Sequence, residues 1–496
     1  RVVKQNASLT VYLHRRLYFC RVRKKKNIVL QNILIEDYAA EGKSLARQDG
    51  KVIFVEGVVP GDKVDVRLTK SKKDWAEGTP LSFQSYSADR VEPFCQHFGV
   101  CGGCQWQMLP YNKQLQYKQK QVSDNLKRIG KVALPEMMPI VGAAEDRYYR
   151  NKLEYTFSTK EFIPAQDFRK MKEEEVLPSE QGLSEKALGF HAKGFFDKVV
   201  HIEKCWLQSE PTNLIRNAVR QYAYENKLSF YDIRNHIGFL RTMMVRICRT
   251  GEVMVNLVVG EDSPKKLKGI LGFLEQTFPE ITTLLYTINL KKNDSMHDLQ
   301  PVVYKGKGFV IEKLEDFSFK IGPKSFFQTN TAQGERLYQI TRDFAELDGT
   351  QTVYDLYCGT GSIGIFCSRG AKKIIGVEAI DAAVQDAREN AAINNISDAE
   401  FYSGDVIDVC NDEFFAKHGR PDVIITDPPR AGMHEKLVQK ILEIGAPLVV
   451  YVSCNPATQA RDLALLDAKY TVTKVQPVDM FPHTHHIENI VQLKLK

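Results

Sequence analysis

The chain has 496 residues, 43% of them hydrophobic and 26% charged, with a formal net charge of +7. That balance excludes a disordered polyelectrolyte, and no apolar run reaches the ~18 residues that a membrane-spanning helix needs. The first 27 residues hold nine Lys and Arg and no acid, so the rest of the chain sums to −2. Affinity for nucleic acid must therefore come from local patches, not from global charge. Ten cysteines without a secretory apolar segment read as thiols or metal ligands in a cytoplasmic protein rather than as disulfides.

Residues 1–27 show no steady period and are expected to form a basic, disordered leader rather than a transit peptide. From 28 to 87 short alternating runs follow: IVLQNILIEDYA, KVIFVEG and DKVDVRLTK, two of them separated by the turn VVPGD. They predict a small OB-like β-barrel. Lysines beside Trp75 in LTKSKKDWAEGTP fit either a solvated loop or an RNA contact. Residues 88–316 predict an antiparallel α+β region. It begins with FCQHFGVCGGCQWQMLP and the polar helix YNKQLQYKQKQVSDNLKRIG, and includes a charged, Pro-interrupted insertion near 162–186 read as a surface loop. From 317 to 496 apolar strands alternate with helices, which predicts a parallel, doubly wound sheet. No internal repeat is present.

The turn DLYCGTGSIG joins a predicted strand to a helix and carries G-x-G-x-x-G at Gly359, Gly361 and Gly364. Such glycines let the backbone turn tightly and approach a ligand. Glu378 ends the next strand, 23 residues after Asp355, where a carboxylate accepts ribose hydroxyls. A nicotinamide dinucleotide and S-adenosylmethionine both fit so far. VIITDPPRAG then puts Asp427 at a strand's C-terminal end, where ligands sit in open α/β sheets. A D/N-P-P strand end favours a methyltransferase over a dehydrogenase. Asp405, in SGDVID, is placed to reach an adenine amine or to cap a turn. Arg430 follows Asp-Pro-Pro, where an aromatic or a cysteine would mark other methyltransferases. Cys454, in VVYVSCNP, ends the next strand and is open to three readings: packing, metal ligation or nucleophilic attack.

Cys95, Cys101 and Cys104 form C-x5-C-G-G-C, three thiols on one loop that its glycines allow to curl around a metal centre. A fourth ligand is needed, and four cysteines suit zinc or an iron–sulfur cluster. Three on one loop are unlike the paired C-x2-C of common zinc sites.

Taken together, FFQTN, DLYCGTGSIG, DPPRAG, YVSCNP and FPHTHHIENI resemble the RNA uracil-5 methyltransferase family in order and spacing over about 180 residues. The N-terminal β segment resembles a TRAM domain, and C-x5-CGGC is similar to the branch acting on 23S ribosomal RNA, so the resemblance covers nearly all of 28–496. It implies S-adenosylmethionine as cofactor and a 4Fe–4S cluster on Cys95, Cys101, Cys104 and Cys205. It implies Cys454 as nucleophile on uracil C6 and Glu488 as the base that removes the C5 proton. Asp427 is expected to position cofactor or ring. Gln328, Tyr357, Glu378 and Asp405 are expected cofactor contacts. Ser362 is another, less firmly matched because many relatives carry Asn there, and Asn330 is expected to shape the same pocket. Phe326 and Phe327 are expected in the core. His486 is expected to share a strand face with Glu488 as a supporting or core residue, and His97 to be a bystander. The partner implied is RNA, 23S ribosomal RNA first, entering by base flipping, with no membrane and no obligate protein partner. Transfer RNA is the alternative substrate. A non-enzymatic iron–sulfur RNA-binding scaffold is the alternative of another class.

Overall fold

The computed structural model describes residues 28–173 and 186–496. The basic leader, and the insertion from 174 to 185, lie outside the described residues.

The N-terminal region is a six-stranded sheet in the order Val29–Leu34, Lys63–Ser71, Trp75–Ser85, Lys51–Val55, Ser44–Gln48 and Asp37–Tyr38. Its two edges are consecutive in the chain and meet through Ile35 and Glu36, over a core that includes Ile33, Ile35, Ile53, Val55, Val64 and Val66. The alternation read from the sequence appears in Ser44–Gln48 and in the first half of Lys63–Ser71, which bury alternate residues, whereas Val29–Leu34 buries only Ile33. The basic stretch, open to a solvated loop or an RNA contact from its residues, forms the turn of a hairpin. Its strands end at Ser71 and restart at Trp75, with the Lys70 ammonium 4.6 Å from the Trp75 ring.

The central region carries a seven-stranded sheet in the order Val302–Lys305, Ile281–Ile288, Val253–Val259, Leu240–Ile247, Lys152–Ser158, Ala187–His191 and Val199–His201. It is not wholly antiparallel as expected. Val253–Val259 and Ile281–Ile288 run parallel, joined by the helix Pro264–Thr277. A parallel pair needs such a crossover, and Val253–Val259 is accordingly buried at every position. The segment read as a surface loop near 162–186 contains a helix, Ala165–Glu173.

A hairpin, Val310–Leu314 with Phe317–Ile321, spans the expected boundary at 317 and packs into the core of the C-terminal sheet. That sheet runs Ala399–Ser403, Lys373–Glu378, Thr352–Leu356, Val423–Thr426, Leu448–Ser453, Glu488–Leu495 and Tyr470–Val478. Its first five strands are parallel. Glu488–Leu495 is antiparallel to both neighbours, a departure from the all-parallel expectation. It returns along Leu448–Ser453, so its first residue arrives at the same sheet end as the C-terminal ends of the parallel strands. No helix among the described residues is long and apolar enough to cross a membrane.

Candidate active site and cysteine cavity

The cofactor loop begins where strand Thr352–Leu356 ends. Tyr357 adopts φ 62°, Gly359 φ 54° and Gly361 φ 76°, so the chain turns sharply before the helix Ser362–Cys367. A side chain at Gly361 would be strained by that backbone, and its Cβ would lie 3.0 Å from both Ala387 Cβ and a Phe401 ring carbon. Asp355 is buried beneath the turn and accepts a 2.8 Å bond from Gly364 N, while its Oδ1 has no partner among the described residues. Burial, reinforced by Asp427 and Glu378, pushes its carboxyl up to about 7 despite the Gly364 bond.

Glu378 braces the loop: Oε2 accepts from Gly359 N at 3.1 Å and Oε1 from Ile380 N at 2.9 Å. Ser362 Oγ lies 2.9 Å from the Tyr338 hydroxyl. Tyr357 is half-buried. Gln328 is buried, and its carbonyl accepts from Asn151 Nδ2 at 2.9 Å. Asn330 caps the helix Thr331–Phe344 and donates to Met480 O at 3.0 Å. Asp405 is exposed and caps the short helix Val406–Val409 through Ile407 N, the cap role its turn context allows. Phe327 is core, but Phe326 is 69% exposed, contrary to expectation.

Sheet register brings the two proposed reacting side chains together. Ser453 pairs with Asn489 across the antiparallel ladder, so Cys454 continues opposite Glu488. Cys454 is half-buried, whereas Glu488 is 6% exposed. Burial holds the Glu488 carboxyl well above the usual range, with Asp427 adding to it and Arg430 opposing. Burial pushes Asp427 up to about 7. The Cys454 thiol is pushed up to about 11 by burial and by the carboxylates of Glu488 and Asp427, against Arg430. The resting group is therefore a thiol, and Arg430 favours its thiolate.

Arg430 is held on both sides. Its carbonyl accepts from Asn455 Nδ2 at 3.0 Å and Thr458 Oγ1 at 3.3 Å, and its Nη2 lies 3.2 Å from His486 Nδ1. Arg430 donates there, so neutral His486 carries its proton on Nε2. His486 stands before the strand that starts at Glu488, so it does not share that strand's face as expected. Burial and the neighbouring His485 and Arg430 push it down to about 3.

The loop leading to Glu488 is clamped by residues that follow the CGGC turn. Gln105 N and Trp106 N donate to His483 O, at 2.8 and 3.0 Å. Gln114 Oε1 accepts from His483 N at 2.8 Å. Lys118 and Asp479, both fully buried, form a 2.6 Å ion pair, and Tyr111 donates to Asp479 Oδ2 at 2.8 Å. Neither Asp355 nor this clamp was singled out from the sequence. The carboxylate before G-x-G was a readable signal, but contacts spanning more than 360 residues left none.

Cys95, Cys101, Cys104 and Cys205 all line one cavity of about 440 Å³ and are free thiols. Burial raises each thiol, and the neighbouring thiols add to the rise for Cys101 and Cys104, both pushed up to about 12. Among the described residues, no group of three or more His, Cys, Asp or Glu is gathered as a single metal ion requires. His97 Nε2 instead accepts from Glu203 N at 3.2 Å.

A β-rich N-terminal sheet and an α/β sheet with its Gly-rich loop at the strand ends match the architecture of an RNA methyltransferase. Residues 306–496 match the tRNA (uracil-5-)-methyltransferase family, and residues 29–81 match the TRAM domain. An uncharacterized RNA methyltransferase of Bacteroides thetaiotaomicron is 53% identical over 461 residues, covering 92% of this chain and all of that protein. One of Chlorobaculum tepidum is 37% identical, over 96% of this chain and 99% of the relative. Among solved structures, the Pyrococcus abyssi tRNA (uracil-54, C5)-methyltransferase in complex with S-adenosyl-L-homocysteine matches with a TM-score of 0.72 at 28% identity. That match covers 93% of this chain and all of the other. The chain belongs to the RNA uracil-5 methyltransferase family and is an S-adenosylmethionine-dependent RNA methyltransferase.

Proposed function

We propose that the protein methylates uridine C5 in 23S ribosomal RNA through a covalent enzyme–RNA intermediate. The observation that carries this reading is the register that sets Glu488 opposite Cys454, beside Asp427 and the cofactor loop. Uracil C5 is a weak nucleophile. Attack of the Cys454 thiolate on C6 turns C5 into an enolate carbon, which can then take a methyl group. S-adenosylmethionine supplies that methyl from a sulfonium and leaves as S-adenosylhomocysteine. The ionised Glu488 carboxylate removes the C5 proton, the C5–C6 double bond re-forms, and Cys454 departs. A carboxyl raised by burial is matched to proton abstraction near neutral pH. Asp427 positions the ring or the cofactor, and Arg430 stabilises the thiolate. Gln328, Tyr357, Ser362, Glu378 and Asp405 hold the cofactor, with the backbone bonds of Glu378 and Asp405 fixing their carboxylates for it. The target base must leave its stack to reach both groups.

The four-cysteine cavity is assigned to a 4Fe–4S cluster. Its support is the ligand set: four free thiols lining one cavity, with Cys95, Cys101 and Cys205 close enough to act on Cys104. Such a cluster would order the central region, from which the clamp on the Glu488 loop departs.

The ribosomal substrate rests on the resemblance of C-x5-CGGC to that branch of the family. Transfer RNA is the second reading, and one observation favours it. The archaeal tRNA enzyme matches 93% of this chain, well beyond 306–496, so the additional regions do not by themselves mark a ribosomal substrate. The test is incubation with methyl-labelled S-adenosylmethionine and unmodified ribosomal RNA and transfer RNA in parallel, followed by nucleoside analysis. Labelled 5-methyluridine in ribosomal RNA is expected. Label in transfer RNA alone would move the substrate, and label in neither would sink the reading.

A further inference from the structure

Arg430 joins the two strand ends that carry the reacting side chains. Its main chain is tied to the nucleophile's side. The Arg430 carbonyl accepts from Asn455 Nδ2 at 3.0 Å and from Thr458 Oγ1 at 3.3 Å, both just beyond Cys454. Ala431 O and Met433 O accept from Arg461 Nη2 at 3.1 and 3.0 Å, so the turn after Asp427 is bound along the helix Pro456–Leu466. The Arg430 side chain is exposed and reaches the other strand end, where Nη2 lies 3.2 Å from Nδ1 of His486, just before Glu488. An exposed arginine has many rotamers to choose from, and a single anchor decides where its charge sits. Here the anchor is an uncharged ring nitrogen. A carboxylate in its place would pair with the guanidinium, whereas a neutral imidazole orients it and leaves its charge for Cys454, whose thiolate it favours.

His486 is itself held in place. Its backbone N–H donates to Thr484 Oγ1 at 3.2 Å, and that hydroxyl donates to Phe481 O at 2.8 Å. The His485 ring packs against it with centroids 4.2 Å apart, and His485 Nδ1 donates to Gln105 Oε1 at 2.7 Å. Gly42, from the N-terminal region, packs directly on His485, since a Cβ there would lie 3.0 Å from His485 Cβ. The histidine pair is thus set by the segment after the CGGC turn and by the N-terminal region, while the arginine it anchors sits on a surface turn. Such support from behind is what keeps a reactive group in one geometry.

We propose that His486 is a positioning residue for the reaction: through Nδ1 it holds the Arg430 guanidinium beside Cys454, so that the nucleophile ionises next to a fixed cation. The inference rests on the methylating reading above and gives a task to a residue which that reading leaves without one. His486 acts only through Arg430, so its loss should matter only while Arg430 is present.

The test is iodoacetamide alkylation of Cys454 at pH 9.5 in the full chain, purified anaerobically and free of S-adenosylmethionine, with the Cys454 peptide quantified by mass spectrometry. His486→Phe keeps a ring against His485 and removes the acceptor. His486→Ala removes the ring without adding volume and serves should the Phe variant fail to fold. His486→Asn returns an acceptor, Oδ1, to the place of Nδ1. The Phe and Ala variants are expected to slow alkylation about threefold or more, while the Asn variant stays within about twofold of wild type. Arg430→Met should slow it at least as much, and His486→Phe added to Arg430→Met should slow it no further. Alkylation at the wild-type rate in the Phe and Ala variants, an Asn variant no faster than the Phe variant, or slowing that multiplies in the double variant would each overturn the proposal. Alkylation needs no RNA, so a wild type that methylates no RNA would overturn the functional reading and still leave this test decisive.

Discussion

Replacing Glu488 with Gln should make Cys454 more reactive toward a simple alkylating agent while abolishing turnover. The thiol is pushed from an ordinary 9.0 to about 11, first by burial and next by the Glu488 carboxylate, with Asp427 adding to it. A two-unit rise cuts the thiolate at pH 8 from about one in ten to about one in a thousand. Glu488→Gln preserves volume and burial but removes the charge. A half-unit to one-unit fall in the thiol midpoint follows, which is about a 3- to 10-fold faster alkylation at pH 9.5. The assay is iodoacetamide labelling of the cofactor-free enzyme over pH 8–11, with the Cys454 peptide quantified by mass spectrometry. A wild-type midpoint below pH 9, or an unchanged midpoint in the variant, would refute the electrostatic account of the site.

The other predictions follow from buried charge. Asp355 has a folded-state value of about 7 against 3.8, so it costs nothing below about pH 4 and destabilises progressively as pH rises through that window, with a ceiling of ~4 kcal/mol. Asp355→Asn should therefore gain stability relative to wild type between pH 5 and pH 8 in denaturant melts; a difference constant with pH would contradict this. Lys118→Met strands the Asp479 carboxylate, which should cost about 3–5 kcal/mol, and the double variant Lys118→Met/Asp479→Leu should recover much of it. Full stability of the single variant would count against the clamp. Anaerobic purification should give about four irons per chain, as a 4Fe–4S centre requires, lost on Cys205→Ser. A colourless zinc-loaded protein would refute the cluster.

Much of the site was legible because its chemistry sits at strand ends, and strand ends are marked by abrupt changes of residue type. Gly359 and Gly361 announce a turn whose left-handed backbone favours glycine, and Pro428 and Pro429 stop a strand just after Asp427. Cys454 is marked likewise by Asn455 and Pro456, which cap and open the next helix. What period and punctuation do not encode is direction. The antiparallel return of Glu488–Leu495, which brings Glu488 to Cys454, looks from its residues like any other apolar strand. The parallel pair in the central sheet was hidden for the same reason. Phe326 and Phe327 are adjacent and identical, yet one is core and the other exposed, which only the packing of their neighbours decides. For Asp405 the residues left a cofactor contact and a turn cap open, and the helix cap is the one its geometry displays.

The central claim is the covalent bond between Cys454 and the target uracil, and intact-mass and peptide analysis of Glu488→Gln incubated with S-adenosylmethionine and substrate RNA tests it most directly. Without the base the methylated adduct cannot eliminate, so after nuclease digestion a nucleotide should remain attached to the Cys454 peptide, and Cys454→Ala should carry none and make no 5-methyluridine. Methylation by Cys454→Ala at the wild-type rate, or normal turnover by Glu488→Gln with no adduct at Cys454, would contradict the account.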